Sequence, residues 1–126
     1  MSMLEGADPY TIEWDAENEC ILYIDQTLLP GRYEQMRCVT VDDLARAIRR
    51  LEIRGAPALG IAGAMGVALA AVRSRETDLE RFSGEVRRAG DLLRSTRPTA
   101  VNLAWGIDRV LQKMALAASI EEAKKI

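Results

Sequence analysis

The sequence predicts an α+β fold: a small antiparallel β-meander over about residues 11–39, then a helical bundle over about 41–126, wrapped around a glycine-rich central helix. Three observations carry this. Before residue 40, short apolar stretches alternate with polar residues and are separated by turn-formers, as strands are. From Val41 the apolar spacing changes to three and four residues, the period of a helix. Then, from Gly55 to Ala71, come 17 residues without a charge, a hydrogen-bonding side chain or an aromatic ring, in which Gly60, Gly63 and Gly66 recur every third position.

The strands are "TIEW", "CILYID" and "YEQMRCVT", divided by Asp15 to Glu19 and by Pro30-Gly31. Ile12 and Trp14 alternate with polar neighbours, as do Met36 and Cys38, so each pair predicts one buried sheet face. Asp25, closing the second strand, reads as a turn-former. Thr40 and Asp43 have capping-box spacing. Behind them Leu44, Ala47, Ile48 and Leu51 form one stripe, while Arg46, Arg49 and Arg50 fall on a solvated face. This helix is expected to stop near Arg54-Gly55. The next is expected to start at Pro57, a favoured first helical residue, and to run to about Val72. Its 16 apolar or glycine residues from Pro57 fall short of the roughly 20 that span a bilayer, which favours a buried helix. Three glycines cost a helix roughly 1 kcal/mol each and are explained by close approach of neighbouring backbones.

Thr77 and Glu80 have the spacing of a second capping box, followed by a stripe of Leu79, Phe82, Val86, Ala89 and Leu93 to about Ser95. Pro98 breaks the chain. A fourth helix follows with Val101, Trp105, Asp108 and Leu111 at turn spacing; Asp108 could instead pair with a cation. Ser119 and Glu122 announce one more helix, yet only seven residues follow Ser119. A helix that short is marginal, so the pattern predicts a longer parent protein.

Composition narrows the function. A chain of 126 residues suits one domain with a core. Its net charge is −2, with 14 arginines and 3 lysines, so no basic field draws nucleic acid. Histidine is absent, which removes the usual general base near neutral pH and the commonest metal ligand. Cys20 and Cys38 fit neither a CxxC motif nor a disulfide framework; they read as reduced, partly buried thiols of a cytoplasmic protein. "MSMLEGADPY" has neither the basic nor the apolar region of a signal peptide.

Two patterns stand out as chemistry. Arg54-Gly55-Ala56-Pro57 and Thr96-Arg97-Pro98-Thr99 each place an arginine beside a proline-marked helix start. Helix N-termini expose unpaired N–H groups and about half a positive charge, and so favour anions. A guanidinium adds donors matched to phosphate, and Gly55 lets backbone approach a ligand closely. If the two starts face each other, Arg54 and Arg97 clamp one phosphorylated small molecule, with Thr96 and Thr99 adding hydroxyls or capping the helix. No catalytic pair is evident elsewhere.

At these motifs the chain resembles a known family. "IRGAPALGIAGAMGVALA" and "TRPTAVNLAW", with "IDQTLLP" and the early Trp14, are similar to the signature segments of methylthioribose-1-phosphate isomerase, over most of the chain from about Trp14. Looser forms occur in the α, β and δ subunits of translation initiation factor 2B and in archaeal ribose-1,5-bisphosphate isomerase. The resemblance implies that residues 1–126 are the N-terminal domain of a two-domain protein. The second, Rossmann-like domain would lie beyond them, with the active site between the two. It implies isomerisation of 5-methylthioribose 1-phosphate to the ketose in methionine salvage, with no metal or redox cofactor. Carried over by motif, Arg54, Gly55, Ala56 and Arg97 contact substrate. The family's catalytic cysteine and aspartate belong to the second domain, and Cys20 and Cys38 do not occupy that motif. This chain alone is therefore expected to bind a phosphorylated sugar without turning it over. Its expected partners are its own C-terminal domain and, through the apolar surface that domain would cover, a second copy in a homodimer; no membrane or nucleic-acid partner is expected. The competing expectations are a non-catalytic regulatory or binding module related to translation initiation factor 2B, and a ribose-1,5-bisphosphate isomerase domain.

Overall fold

The computed structural model describes residues 12–117 and 119–124. Thr11, at the start of the first expected strand, and the N-terminal decapeptide lie outside them. Three strands, β1 (Ile12–Asp15), β2 (Cys20–Ile24) and β3 (Gln35–Cys38), pair antiparallel in chain order. Ile12 sits opposite Tyr23 and Tyr23 opposite Met36; Trp14 sits opposite Ile21 and Ile21 opposite Cys38. Those six residues therefore share one face, and all six pack into the hydrophobic core. The expected α+β meander and its register follow directly from this alternation. The Asp15 carboxylate organises the β1–β2 turn: it accepts the Asn18 side-chain amide at 2.8 Å and the backbone N–H of Glu17 at 3.2 Å. These bonds, led by the Asn18 amide, hold its pKa below the ordinary carboxylate value. Asp25 is buried and caps a single 3₁₀ turn, Gln26–Leu28, accepting the Thr27 N–H at 2.9 Å.

Five helices follow: α1 (Val41–Arg49), α2 (Ala56–Arg73), α3 (Leu79–Thr96), α4 (Val101–Ala115) and α5 (Ile120–Lys124). The Thr40–Asp43 capping box is present in both directions. Helix α2 is the hub, packing most extensively on α4 and next on α3. It is long and apolar enough to cross a membrane by length and composition, but its glycines are in protein contact. A Cβ on Gly63 would lie 2.6 Å from the Leu103 carbonyl oxygen. One on Gly66 would lie 2.4 Å from a Leu93 methyl. From α4, Gly106 closes the contact, where a Cβ would meet the Gly60 carbonyl oxygen at 2.1 Å.

Several expectations need correction. Helix α1 ends at Arg49, about five residues early: Leu51 has φ +63° and is exposed, so it leaves the stripe that Leu44, Ala47 and Ile48 form. Pro57 is the second residue of α2, after Ala56, and the N-cap is Gly55. The cap of α3 is Asp78, which accepts the Arg81 N–H at 2.9 Å, rather than Thr77. In its stripe Phe82, Val86 and Leu93 are buried, Gly90 joins them, and Leu79 is exposed. Pro98 does not begin α4. It occupies the corner of a turn in which the Ala100 N–H donates to the Arg97 carbonyl at 2.9 Å, the second turn position that proline favours. On α4, Val101, Trp105 and Asp108 form the exposed face, while Leu103, Gly106 and Ile107 are buried. Asp108 does take a cation, Arg94. Helix α5 forms where Ser119 announced it; the Glu122 side chain of that expected box lies outside the described residues.

Candidate functional site

Helices α2 and α4 run parallel. Gly60, in the first turns of α2, faces Asn102, in the first turn of α4, while Val72, near the end of α2, shares a groove with Met114, near the end of α4. Both N-termini therefore open at the same end of the bundle, their dipoles adding rather than cancelling.

These two ends also lack what the starts of α1 and α3 have. Helix α1 is capped by Thr40 and α3 by Asp78. The N-cap of α2 is Gly55 and that of α4 is Ala100, and neither supplies a side-chain hydrogen bond. The first-turn N–H groups at this end are left for another acceptor. Gly55 holds φ +98°, in the left-handed region that glycine tolerates and other residues rarely adopt.

The predicted residues are placed differently relative to this end, and neither Arg54 nor Arg97 lines the groove beside it. Arg54 is exposed, immediately before the Gly55 cap. Ala56 is exposed and lines a groove of about 520 Å³ with Pro57, Gly60, Val101, Asn102 and Trp105. Arg97 is half-buried and ends α3; its turn to Ala100 folds it back toward the start of α4. Among the described residues neither guanidinium has a hydrogen-bond or ion-pair partner in the protein. Arg94, one turn earlier, is committed to Asp91 and Asp108 and is not available to an anion. Thr96 does not reach outward: its hydroxyl donates to the Leu93 carbonyl within α3. Thr99 is not the cap of α4. Asn102 and Trp105 were not singled out as site residues. Their signal was the missing cap at Ala100, since a helix start with no Ser, Thr, Asp or Asn is itself unusual.

The arrangement can bind an anion. Both cysteines are buried and free, and burial, with Asp43 and Glu52 nearby, pushes the Cys38 thiol up to about 12. Among the described residues no group of three or more metal-ligating side chains occurs.

Comparison with known proteins identifies the family and the fold. Residues 52–126 match the model of the initiation factor 2 subunit family. The chain is 43% identical over 118 residues to the methylthioribose-1-phosphate isomerase of Geobacillus kaustophilus, covering 94% of this chain and 33% of that protein. Its fold is similar, with a TM-score of 0.85 and 45% identity, to a crystal structure described as translation initiation factor eIF-2B subunit delta from A. fulgidus, covering 91% of this chain and 33% of that one. It is equally similar in fold, with a TM-score of 0.85 and 33% identity, to 5-methylthioribose 1-phosphate isomerase from Pyrococcus horikoshii, covering 91% and 32%. The chain thus spans about a third of the length of the curated relatives it matches.

Proposed function

The chain belongs to the initiation factor 2 subunit family, and from that premise we propose that it is the substrate-anchoring part of an aldose–ketose isomerase acting on 5-methylthioribose 1-phosphate. The observation that supports this is the pair of uncapped, parallel helix starts of α2 and α4, with Arg54 directly before the Gly55 cap and Arg97 at the end of α3 just before the Ala100 cap, both without a protein partner among the described residues. A phosphate there accepts N–H groups from the Gly55–Ala56 segment and bidentate bonds from the arginines. The isomerase names borne by the relatives support the sugar phosphate over other anions.

Aldose–ketose conversion moves a proton between adjacent carbons and needs an acid or base within hydrogen-bond reach. The proposed anchoring residues, Arg54, Gly55, Ala56 and Arg97, include no such group. Binding without turnover is the expected behaviour of this chain by itself. The second reading, a non-catalytic regulatory module, is favoured by the likeness to the structure described as eIF-2B subunit delta. Calorimetry separates the two. The isomerase reading predicts that 5-methylthioribose 1-phosphate binds and that unphosphorylated 5-methylthioribose does not, with Arg97→Ala weakening binding about tenfold or more, the scale of a lost charge-assisted pair. Equal affinity for unrelated phosphates would favour the regulatory reading. Ribose 1,5-bisphosphate binding more tightly than the methylthio sugar would shift the substrate class. Turnover by the chain above an Arg97→Ala control would contradict the division of labour.

A further inference from the structure

Arg54 and Gly55 stand at the end of a short connection between α1 and α2, and that connection is held from two sides. On one side, the Glu52 and Ile53 N–H groups donate to the Ala47 carbonyl of α1, at 3.0 and 3.4 Å. On the other, the sheet and the 3₁₀ turn that follows β2 reach across: the Gln26 N–H donates to the Glu52 carbonyl at 2.8 Å, and the Tyr23 hydroxyl donates to the Glu52 carboxylate at 2.6 Å. The second carboxylate oxygen of Glu52 lies 3.9 Å from the Arg50 guanidinium. Ile53 is buried in the core, and Leu51 is held at φ +63°, a conformation that a branched side chain adopts only where its surroundings impose it.

Tyr23 is buried on the helix-facing side of β2. Packing alone is satisfied by phenylalanine there. A buried hydroxyl and a largely buried carboxylate are costly to desolvate and are retained where their bond fixes something. What this bond fixes is the backbone two residues before Arg54. Resting on the anion-site reading above, we propose that Tyr23 and Glu52 are positioning residues: their hydrogen bond locks the Glu52–Gly55 segment against the sheet and holds Arg54 and the Gly55 cap in the shape that receives a phosphate. The β-meander then has a role in binding although none of its strands lines the groove.

The test uses the chain itself, with inorganic phosphate as the probe. Tyr23→Phe keeps the ring and removes only the donor. Amide hydrogen exchange at Gln26, Glu52 and Ile53 is expected to quicken about tenfold relative to amides in the middle of α3, as for loss of a hydrogen bond to a charged group. The dissociation constant for phosphate, read from amide shifts at Gly55 and Ala56, is expected to rise at least threefold. Glu52→Ala reproduces both effects, adding it to Tyr23→Phe changes nothing more, and Glu52→Gln, which can still accept from Tyr23, restores most of both. Exchange at those three amides that is unchanged, or that quickens only in step with α3, overturns the lock. Quicker exchange with unchanged phosphate affinity overturns its link to the site. An intact chain whose Gly55 and Ala56 shifts do not saturate with phosphate overturns the anion reading itself, and this result comes from a separate spectrum.

Discussion

Cys38 lies on the helix-facing side of β3 opposite Ile21, with a thiol 1% exposed. Burial first, then the carboxylates of Asp43 and Glu52, disfavour its thiolate and push its pKa up from 9.0 to about 12. The fold therefore holds the protonated form. The stability this contributes is fully present below pH 9, the unfolded thiol's range, and is lost as pH rises toward 12. The Tyr23 phenol, raised chiefly by burial and then by Glu52, acts in the same direction above pH 10. Urea midpoints are expected to be flat from pH 7 to 8.5 and to fall progressively from about pH 9. An Ellman-type reagent at pH 8 should find no reactive thiol until the chain is unfolded; prompt reaction with the native chain would mean that the sheet face is open. At this scale the sequence was informative where chemistry is local. The start of α2 could be read to within a residue because Pro57 marks it in the letters, although Ala56 is the first helical residue and Gly55 the cap. Leu51 could not, since its φ of +63° goes with the contacts that Glu52 and Ile53, the two residues after it, make with Ala47 and the sheet.

Among the elements, the α2–α4 contact decides whether the site exists, because it brings the two uncapped helix starts together. The contact is glycine on backbone. Gly106→Ala would drive a methyl to 2.1 Å from the Gly60 carbonyl oxygen and must force the helices apart. A loss of about 2–3 kcal/mol, typical of overpacking, is expected by urea denaturation, together with weaker phosphate binding. Gly84→Ala in α3 is the control. Its added methyl meets only the tip of the Arg88 side chain at 3.3 Å, so helix propensity favours it by up to about 1 kcal/mol. Equal effects at the two positions would remove the close crossing. The same chemistry explains which helices were legible. The strands and α1 follow from alternation and from the Thr40 box. The buried face of α4 escaped, because apolar counting selects Val101 and Trp105 and passes over Gly106, whose value lies in having no side chain. Thr77 and Asp78 are adjacent candidate caps, and spacing alone does not separate them.

Over the whole molecule, three layers act on one end of the bundle. The sheet braces the connection before α2, α3 returns the chain so that α4 runs parallel to α2, and the turn after Arg97 leads into the uncapped start of α4. The architecture was readable because the meander and the glycine helix are written in period and composition. The parallel pairing of α2 and α4 was not, since it depends on the α3 return and on contacts distant in sequence. The most direct test is a titration of the isotopically labelled chain with 5-methylthioribose 1-phosphate, followed by backbone amide shifts. An anion clamp predicts saturable shifts concentrated at Gly55, Ala56 and the first turn of α4, abolished in Arg54→Ala/Arg97→Ala while the α3 core amides keep their positions. Shifts that scatter over the surface without saturating, or that survive loss of both arginines, would contradict it.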